Sequence, residues 1–442
     1  MRRTIQHPAR LVPLAFLVTI AVGTLLLALP LSHAGDGRAP LLTALFTSTS
    51  AVCVTGLIVV DTPTYWSTFG QTVIMALFQV GGFGIMTGAS VLGLLVTRRL
   101  RLRNRLVAQA ETRTLSLGDI TRVLKMTLLV TVSVELAVTA ALALRMHAAY
   151  EATWPGALWH GGFHAVSAFN NAGFSTYSDN LTGFVADPAI IVPIMVAIVI
   201  GGIGIPVLYD LSRERRPSRW SIHTKLTVGG TVILLLGGMA AFLVFESANP
   251  GTVGPLDVSG KVLASLFHSV TSRTAGFNSV DVAELRQETL GVTYVLMFIG
   301  GGSAGTAGGI KVATFLLLAY VIWAEIRGEP DTIVFRRRIT LDAQRQALTV
   351  ALLGVAAVAL ATLVVLSATD FALSDVLFEC VSAFATVGLS TGLTPDLPAS
   401  AQVVLIIVMY VGRVGTITVA TALALRTRHR LYRLPEERPI VG

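Results

Sequence analysis

Apolar runs of membrane length come in pairs along this chain, and between the members of each pair lies a shorter apolar run that leads into a single glycine. The long runs are Leu11–Leu31 and Thr68–Val96, Val123–Ala148 and Ala189–Leu211, Leu226–Phe245 and Leu290–Trp323, and Ala347–Ser367 and Ala401–Leu425. Each reaches about 20 residues, the length a helix needs to cross a hydrocarbon core of about 30 Å. The short runs are Pro40–Val52, Pro155–Phe169, Ser259–Ser272 and Phe371–Phe384. At about 12–15 residues they cannot span, so each enters the bilayer and turns back on the same side. The pattern predicts an all-α membrane protein with eight transmembrane helices, arranged as four helix–pore-loop–helix repeats around a pseudo-fourfold pore axis. The repeats cover residues 1–97, 98–212, 213–326 and 327–442, the last including a cytoplasmic tail.

The four glycine segments resemble one another. They read SAVCVTGL (Ser50–Leu57), SAFNNAGFS (Ser167–Ser175), SVTSRTAGFN (Ser269–Asn278) and SAFATVGLS (Ser382–Ser390), and recur about every 110 residues. Non-helical backbone survives at membrane depth only where it is buried in protein or lines water. Four such loops satisfy this by meeting on one axis, where rings of carbonyls can replace the hydration shell of a potassium-sized cation. The expected ion-binding residues are Cys53, Val54, Thr55 and Gly56; Asn170, Asn171, Ala172 and Gly173; Arg273, Thr274, Ala275 and Gly276; and Ala385, Thr386, Val387 and Gly388. Thr55, Asn171, Thr274 and Thr386 are read as polar groups near the axis, and Arg273 as pointing away from it. The short helices aim their C-terminal ends, each worth about half a negative charge, at the same centre. Four glycine turns packing tightly between helices is the plainer alternative. Broken-helix transporters are another, but they show inverted repeats, whereas these four run in parallel.

Composition and charge agree with a membrane protein. Of the 442 residues 53% are hydrophobic and 13% charged, and the mean hydropathy is +0.72. The net charge of +8 could suggest nucleic acid, but the basic residues crowd into Met1–Arg10, Arg98–Lys125, Arg213–Lys225, Arg327–Arg345 and Arg426–Arg438. The stretches His147–Pro188 and Thr369–Ser400 contain no Lys or Arg. This positive-inside pattern puts both termini in the cytoplasm and all four loops outside, in a cell inner (plasma) membrane. Leu11–Leu31 follows a basic start and precedes Ser32-His33-Ala34, as in a signal peptide, but its length and the repeat favour a retained helix. Two cysteines, Cys53 and Cys380, make no disulfide framework.

Thr289–Ala324 is too long for one span. As a single helix it would reach roughly 54 Å, and its middle is Gly300, Gly301, Gly302, Ser303, Ala304, Gly305, Thr306, Ala307, Gly308 and Gly309. Each glycine costs a helix about 1 kcal/mol relative to alanine, so the helix is expected to break there into a mobile gating loop beneath the filter. A small-residue packing surface is the alternative. Lys311 ends the loop, and Arg413 lies deep within the last apolar run, where a charge is costly and marks function. Both are read as gating residues. Asp61, Asp281, Glu379 and Asp396 lie near the outer face, with Glu379 bonded behind the filter. His160 and His164 stand four apart with no third metal ligand, so they are read as packing. No nucleophile–base pair or phosphate loop suggests an enzyme; a secondary active symporter moving K+ with Na+ or H+ is the alternative to a channel-like transporter, weakened because no buried carboxylate chain along the spans supports proton relay.

The stretches Ser50–Thr62, Phe163–Ser175, Ser269–Asp281, GGGSAGTAGGIKVATF (Gly300–Phe315) and Phe378–Leu397 resemble the superfamily of K+ transporters that includes TrkH, KtrB and plant HKT proteins. With its first repeat beginning near residue 11, the chain is most similar to the eight-helix KtrB type. The resemblance implies K+ as transported ion, Na+ as a possible activating ion, and no covalent cofactor. It also implies a homodimer in the lipid bilayer, on a cytoplasmic KtrA-like ring of RCK subunits binding ATP or ADP. It likens Gly300–Gly309 to the family's intramembrane gating loop, Arg413 to an arginine below its filter, and Gly56 to the pattern of K+-preferring members.

Overall fold

The computed structural model describes residues 8–105, 117–150, 153–415, 435 and 437. It is almost entirely helical. In chain order the helices are α1 (Pro8–Leu27), α2 (Leu41–Val52), α3 (Thr62–Tyr65), α4 (Thr68–Arg105), α5 (Leu117–Ala149), α6 (Trp154–Asn170), α7 (Pro188–Ile203) and α8 (Ile205–Arg213). They continue with α9 (Ile222–Glu246), α10 (Val258–Thr271), α11 (Gln287–Phe298), α12 (Val312–Ile326), α13 (Leu341–Ser367), α14 (Leu373–Ala385) and α15 (Ala399–Tyr410). The strands β1 (Ile333–Val334) and β2 (Arg337–Arg338) form one hairpin.

Among the described residues, α4 over Thr68–Gly88, α5 over Leu124–Ala149, α9 and α13 are long and apolar enough to cross a bilayer, and α7 with α8 would make a fifth. These helices wear their apolar residues outward. Leu128, Leu129, Val132 and Leu136 of α5, Ile233 and Leu236 of α9, and Leu352, Leu360 and Leu363 of α13 are exposed. The short helices are the reverse. Phe46, Phe163, Phe169, Phe267 and Phe378 are fully buried. The helices that end in glycine loops therefore form the centre, and the long helices form the wall around it.

Local chemistry explains where the short helices start. Thr153 caps α6 by accepting from the Gly156 N–H, with Pro155 in the first turn, and Asp257 caps α10 by accepting from Gly260 at 2.9 Å. Pro40 precedes α2.

Two spans differ from expectation. Ala189–Leu211 is not one straight helix: α7 and α8 meet at 96°. Gly204 adopts φ +97 there, and Pro206 follows in the first turn of α8, so the helix cannot continue. The last apolar run leaves α-helical geometry at Tyr410 and continues as a π turn, Val411–Gly415. The expected inner end at Leu425 and the tail lie outside the described residues, as does the start of the chain.

Candidate functional site

The four glycines meet in a closed ring. A Cβ built on Gly56 would lie 2.5 Å from the Ala172 carbonyl oxygen, and one on Gly173 would lie 2.8 Å from that of Ala275. One on Gly276 would run into the Val387 oxygen, and one on Gly388 into the Thr55 oxygen. Each glycine thus faces the carbonyl of the residue before the next repeat's glycine, in the order first, second, third, fourth, first. Any side chain would close the gap that keeps the four backbones in contact.

The loops share one backbone signature. The glycines have φ of +92, +71, +79 and +97, and the residues two before them, Val54, Asn171, Thr274 and Thr386, have +58, +58, +74 and +50. Left-handed residues at every second position turn successive peptide planes so that their carbonyls share one side. Non-glycine residues tolerate this conformation at a cost of about 1–2 kcal/mol each, and the surrounding bonds hold it. Ser50 and Ser382 accept from the N–H of Gly56 and Gly388 at 3.1 and 3.0 Å. Ser167 donates to the Phe174 carbonyl at 2.9 Å, and Thr271 to that of Phe277 at 2.6 Å. The motif's serine stitches the first, second and fourth loops to their own helices, and Thr271 does so in the third, where the motif's Ser269 bonds instead to the Leu235 carbonyl of α9.

The register pairs Val54, not Thr55, with Asn171, Thr274 and Thr386, and the side chains of Asn171, Thr274 and Thr386 meet Thr306 and Gly308. The Thr306 hydroxyl donates to Asn171 Oδ1 at 3.0 Å, and the Gly308 N–H to Thr274 Oγ1 at 3.1 Å. A Cβ on Gly308 would strike Thr386 Oγ1 and the Ala385 carbonyl.

Residues 299–311 lie between α11 and α12 as a folded segment, closed by a bridge between Ile299 and Ile310. Gly302 and Thr306 donate their N–H groups to the carbonyls of Gly202 and Gly201 at the end of α7, at 2.8 and 3.0 Å. Ala304, at φ +59, accepts from the Ile205 N–H at 3.4 Å, and a Cβ on Gly204 would meet Ser303. A Cβ on Gly301 would meet the Gly202 carbonyl, and one on Gly305 the carbonyls of Gly202 and Gly201. Gly300 packs on Gly308, and Gly309 turns at φ +62. The segment between α11 and α12 therefore occupies the kink between α7 and α8.

Three cations hold its carbonyls. Arg413 Nη1 donates to Thr306 O at 2.5 Å, Lys311 Nζ to Ala307 O at 2.6 Å and Gly308 O at 3.2 Å, and Arg273 Nη2 to Gly300 O at 3.0 Å. Arg413 and Arg273 are 3% and 6% exposed, too buried to be snorkelling.

A depression of about 610 Å³ opens on the other side of the ring, lined by all four glycines and by Asp61, Asp179 and Asp281. Glu379 lies behind the fourth loop, accepting from Ser390, Thr394 and the Thr391 N–H. Asp396 is not part of the lining. His160 and His164 bond to Thr176 and Ser175 and stack on Tyr177. Cys53 and Cys380 are buried free thiols.

Sequence reasoning missed a second recurring glycine. Cβ atoms on Gly81, Gly201 and Gly412 would run into the carbonyls of Val52, Phe169 and Phe384, each four residues before a ring glycine. The signal was legible in VGGFGI (Val80–Ile85), IGGIGI (Ile200–Ile205) and VGRVG (Val411–Gly415). Also missed was Glu135, a carboxylate in the middle of α5.

Residues 15–429 match the family model TrkH, described as a cation transport protein. The chain belongs to the TrkH family. One TrkH-family relative is the Ktr system potassium uptake protein B of Bacillus subtilis (strain 168), 39% identical over 437 residues, 98% of this chain and 97% of that protein. The Ktr system potassium uptake protein B of Vibrio alginolyticus is 35% identical, covering 98% of this chain and 94% of its own. The potassium/sodium uptake protein NtpJ of Enterococcus hirae is 34% identical, covering 98% and 97%. The crystal structure of the potassium transporter TrkH from Vibrio parahaemolyticus superimposes with a TM-score of 0.72 over 95% of this chain and 84% of that one. At 19% identity that match establishes a shared fold. Family membership and the apolar helices together make this a multi-pass membrane protein of a cation-transport family.

Proposed function

We propose that this chain is the ion-conducting subunit of a potassium uptake system of the cell inner membrane, and not an enzyme. Eight spans in four repeats surround one pore, with both termini in the cytoplasm. Ions enter through the acidic depression and lose water in the glycine ring, where the carbonyls around Gly56, Gly173, Gly276 and Gly388 replace it. They then meet residues 300–311, which act as the gate. The observation that carries this reading is the ring itself: four glycine loops closed head to tail with one backbone signature. It is supported by relatives named as potassium uptake proteins over nearly the full chain.

The name "Ktr system" for these relatives supports a multi-subunit assembly. We assign the chain to a homodimer on a cytoplasmic ring of RCK subunits that responds to ATP or ADP, with Na+ as an activating ion. A second reading is secondary active symport of K+ with Na+, favoured by the Enterococcus relative's name as a potassium/sodium uptake protein.

The test is ion uptake in a K+-uptake-deficient bacterium and in liposomes. Wild type should take up K+, Gly276→Ser should lower K+ affinity or selectivity, and deletion of Gly302–Gly309 should open a leak. Movement of another solute in place of K+ would sink the reading. K+ entry that stops without Na+ and drives Na+ inward would favour symport.

A further inference from the structure

Glu135 sits in the middle of α5, on a helix whose neighbouring Leu128, Leu129, Val132 and Leu136 face outward. A carboxylate at this depth is costly, and where a membrane protein keeps one it has partners and a task. Its partners are both amides. Glu135 Oε1 accepts from Asn170 Nδ2 and Glu135 Oε2 from Gln79 Nε2, each at 3.3 Å. Asn170 Nδ2 also donates to Gln79 Oε1 at 2.5 Å and to the Val166 carbonyl at 2.9 Å. With the amides oriented as they are, residue 135 accepts on both of its terminal atoms, which a carboxylate does and a glutamine does only if an amide turns over. Gly82 makes the space, since a Cβ there would strike Asn170 Oδ1.

Asn170 is the last residue of α6, three before Gly173. The residues in its place in the other repeats are Cys53, Arg273 and Ala385. Arg273 is tied to the segment below the ring. Of these four positions, among the described residues, Asn170 is the one bonded through side chains of α4 and α5 to the wall. The other short helices are bonded to the wall away from this position, Ser48 to the Ile20 carbonyl of α1 and Ser269 to the Leu235 carbonyl of α9, so the second loop is the one tied to the wall three residues before its glycine.

We propose that Glu135 is a positioning residue for ion discrimination, holding the second loop through Gln79 and Asn170 at the radius that suits K+ over Na+. This rests on the pore reading above. Without the tether the Asn170 and Asn171 carbonyls gain room to close on a smaller ion, so discrimination falls while the path stays open.

The test is K+ and Na+ flux through the full-length chain in liposomes, with any regulatory partner held constant. Glu135→Ala should lower the K+/Na+ ratio roughly tenfold, the effect of losing hydrogen bonds to a charged group, with K+ flux at saturation within about twofold of wild type. Glu135→Gln should fall between, and Glu135→Ala combined with Asn170→Ala should be no worse than either alone. If Glu135→Ala does not fold, Gln79→Ala and Glu135→Gln carry the test, with a lowered ratio expected in both. A wild-type ratio in Glu135→Ala or in Gln79→Ala, while Gly276→Ser loses discrimination, overturns the proposal and leaves the pore reading standing. Additive effects in the double variant also overturn it. A wild type that passes neither ion overturns both.

Discussion

At the scale of single residues, the four ring glycines are held by two separate constraints. Each has positive φ, which costs a residue with a side chain about 1–2 kcal/mol. Each also faces a carbonyl of the next repeat, closest at Gly388 and loosest at Gly173. Alanine at either position should weaken K+ uptake, with Gly388→Ala losing roughly tenfold or more and Gly173→Ala less, because its neighbour has more room to give. Apparent K+ affinity in uptake assays at matched expression measures this. Equal affinities across wild type and both variants would remove the ring from the ion path.

Among elements, the segment between α11 and α12 is held by charge. Its glycines leave few side chains to pack, so besides its backbone bonds to Gly201 and Gly202 its conformation depends on Arg413, Lys311 and Arg273 at its carbonyls and on Asn171 and Thr274. Removing one cation frees the segment without emptying a core. Arg413→Gln and Lys311→Met should each raise basal Rb+ flux about threefold to tenfold, the worth of a charged hydrogen bond, in liposomes lacking other subunits. Unchanged flux in both would show that the segment does not gate. Arg413→Gln should still purify as a folded protein.

The junction between α5 and α7 carries a pH-dependent bond. Asp187 caps α7 and accepts from Arg145 at 2.8 Å, Tyr150 at 2.9 Å and the Ala189 N–H at 2.9 Å. Burial alone would raise its pKa, but the bonds from Arg145, Tyr150 and Ala189 outweigh burial and lower it below 3.8. A depressed carboxylate stabilises the fold above its unfolded pKa, and that contribution is lost as pH falls through the lower folded value. Asp187→Asn should therefore cost about 1 kcal/mol near pH 7, given the exposed Arg145, and the difference should shrink below pH 3.8. Thermal unfolding in detergent across this range tests it. A pH-independent difference would assign the loss to packing.

For the whole molecule, one chain supplies all four quarters of the ring, so a second copy is not needed to complete an ion path. The proposed dimer must then serve regulation. Native mass spectrometry of the purified protein should find two chains per particle, and covalently linked dimers should transport per chain as well as unlinked ones. ATP and ADP should change flux only when a separate cytoplasmic subunit is added. A nucleotide response of this chain alone would count against the assembly proposed.

Hydropathy and charge along the chain were enough to find the short helices ending in glycine. Both follow from local rules: a helix must be long enough to cross, and lysine and arginine stay on one side. The α2, α6, α10 and α14 helices begin and end within two residues of their expected bounds. The break near Gly300 was legible because glycine disfavours helix whatever surrounds it. Contact across repeats was not legible. That Val54 rather than Thr55 shares a register with Asn171 could be counted from the glycines, each standing two residues before its own, but the left-handed backbone at these positions could not be read from their side chains. The kink at Gly204, the lodging of residues 299–311 against Gly201 and Gly202, and the bond from Arg273 to Gly300 each join residues distant in sequence. In the sequence Glu135 is a single acid in an apolar run and draws no attention. Its meaning came only when folding brought Gln79 and Asn170 to it, because a polar group at membrane depth is defined by its partners, and those were chosen by packing.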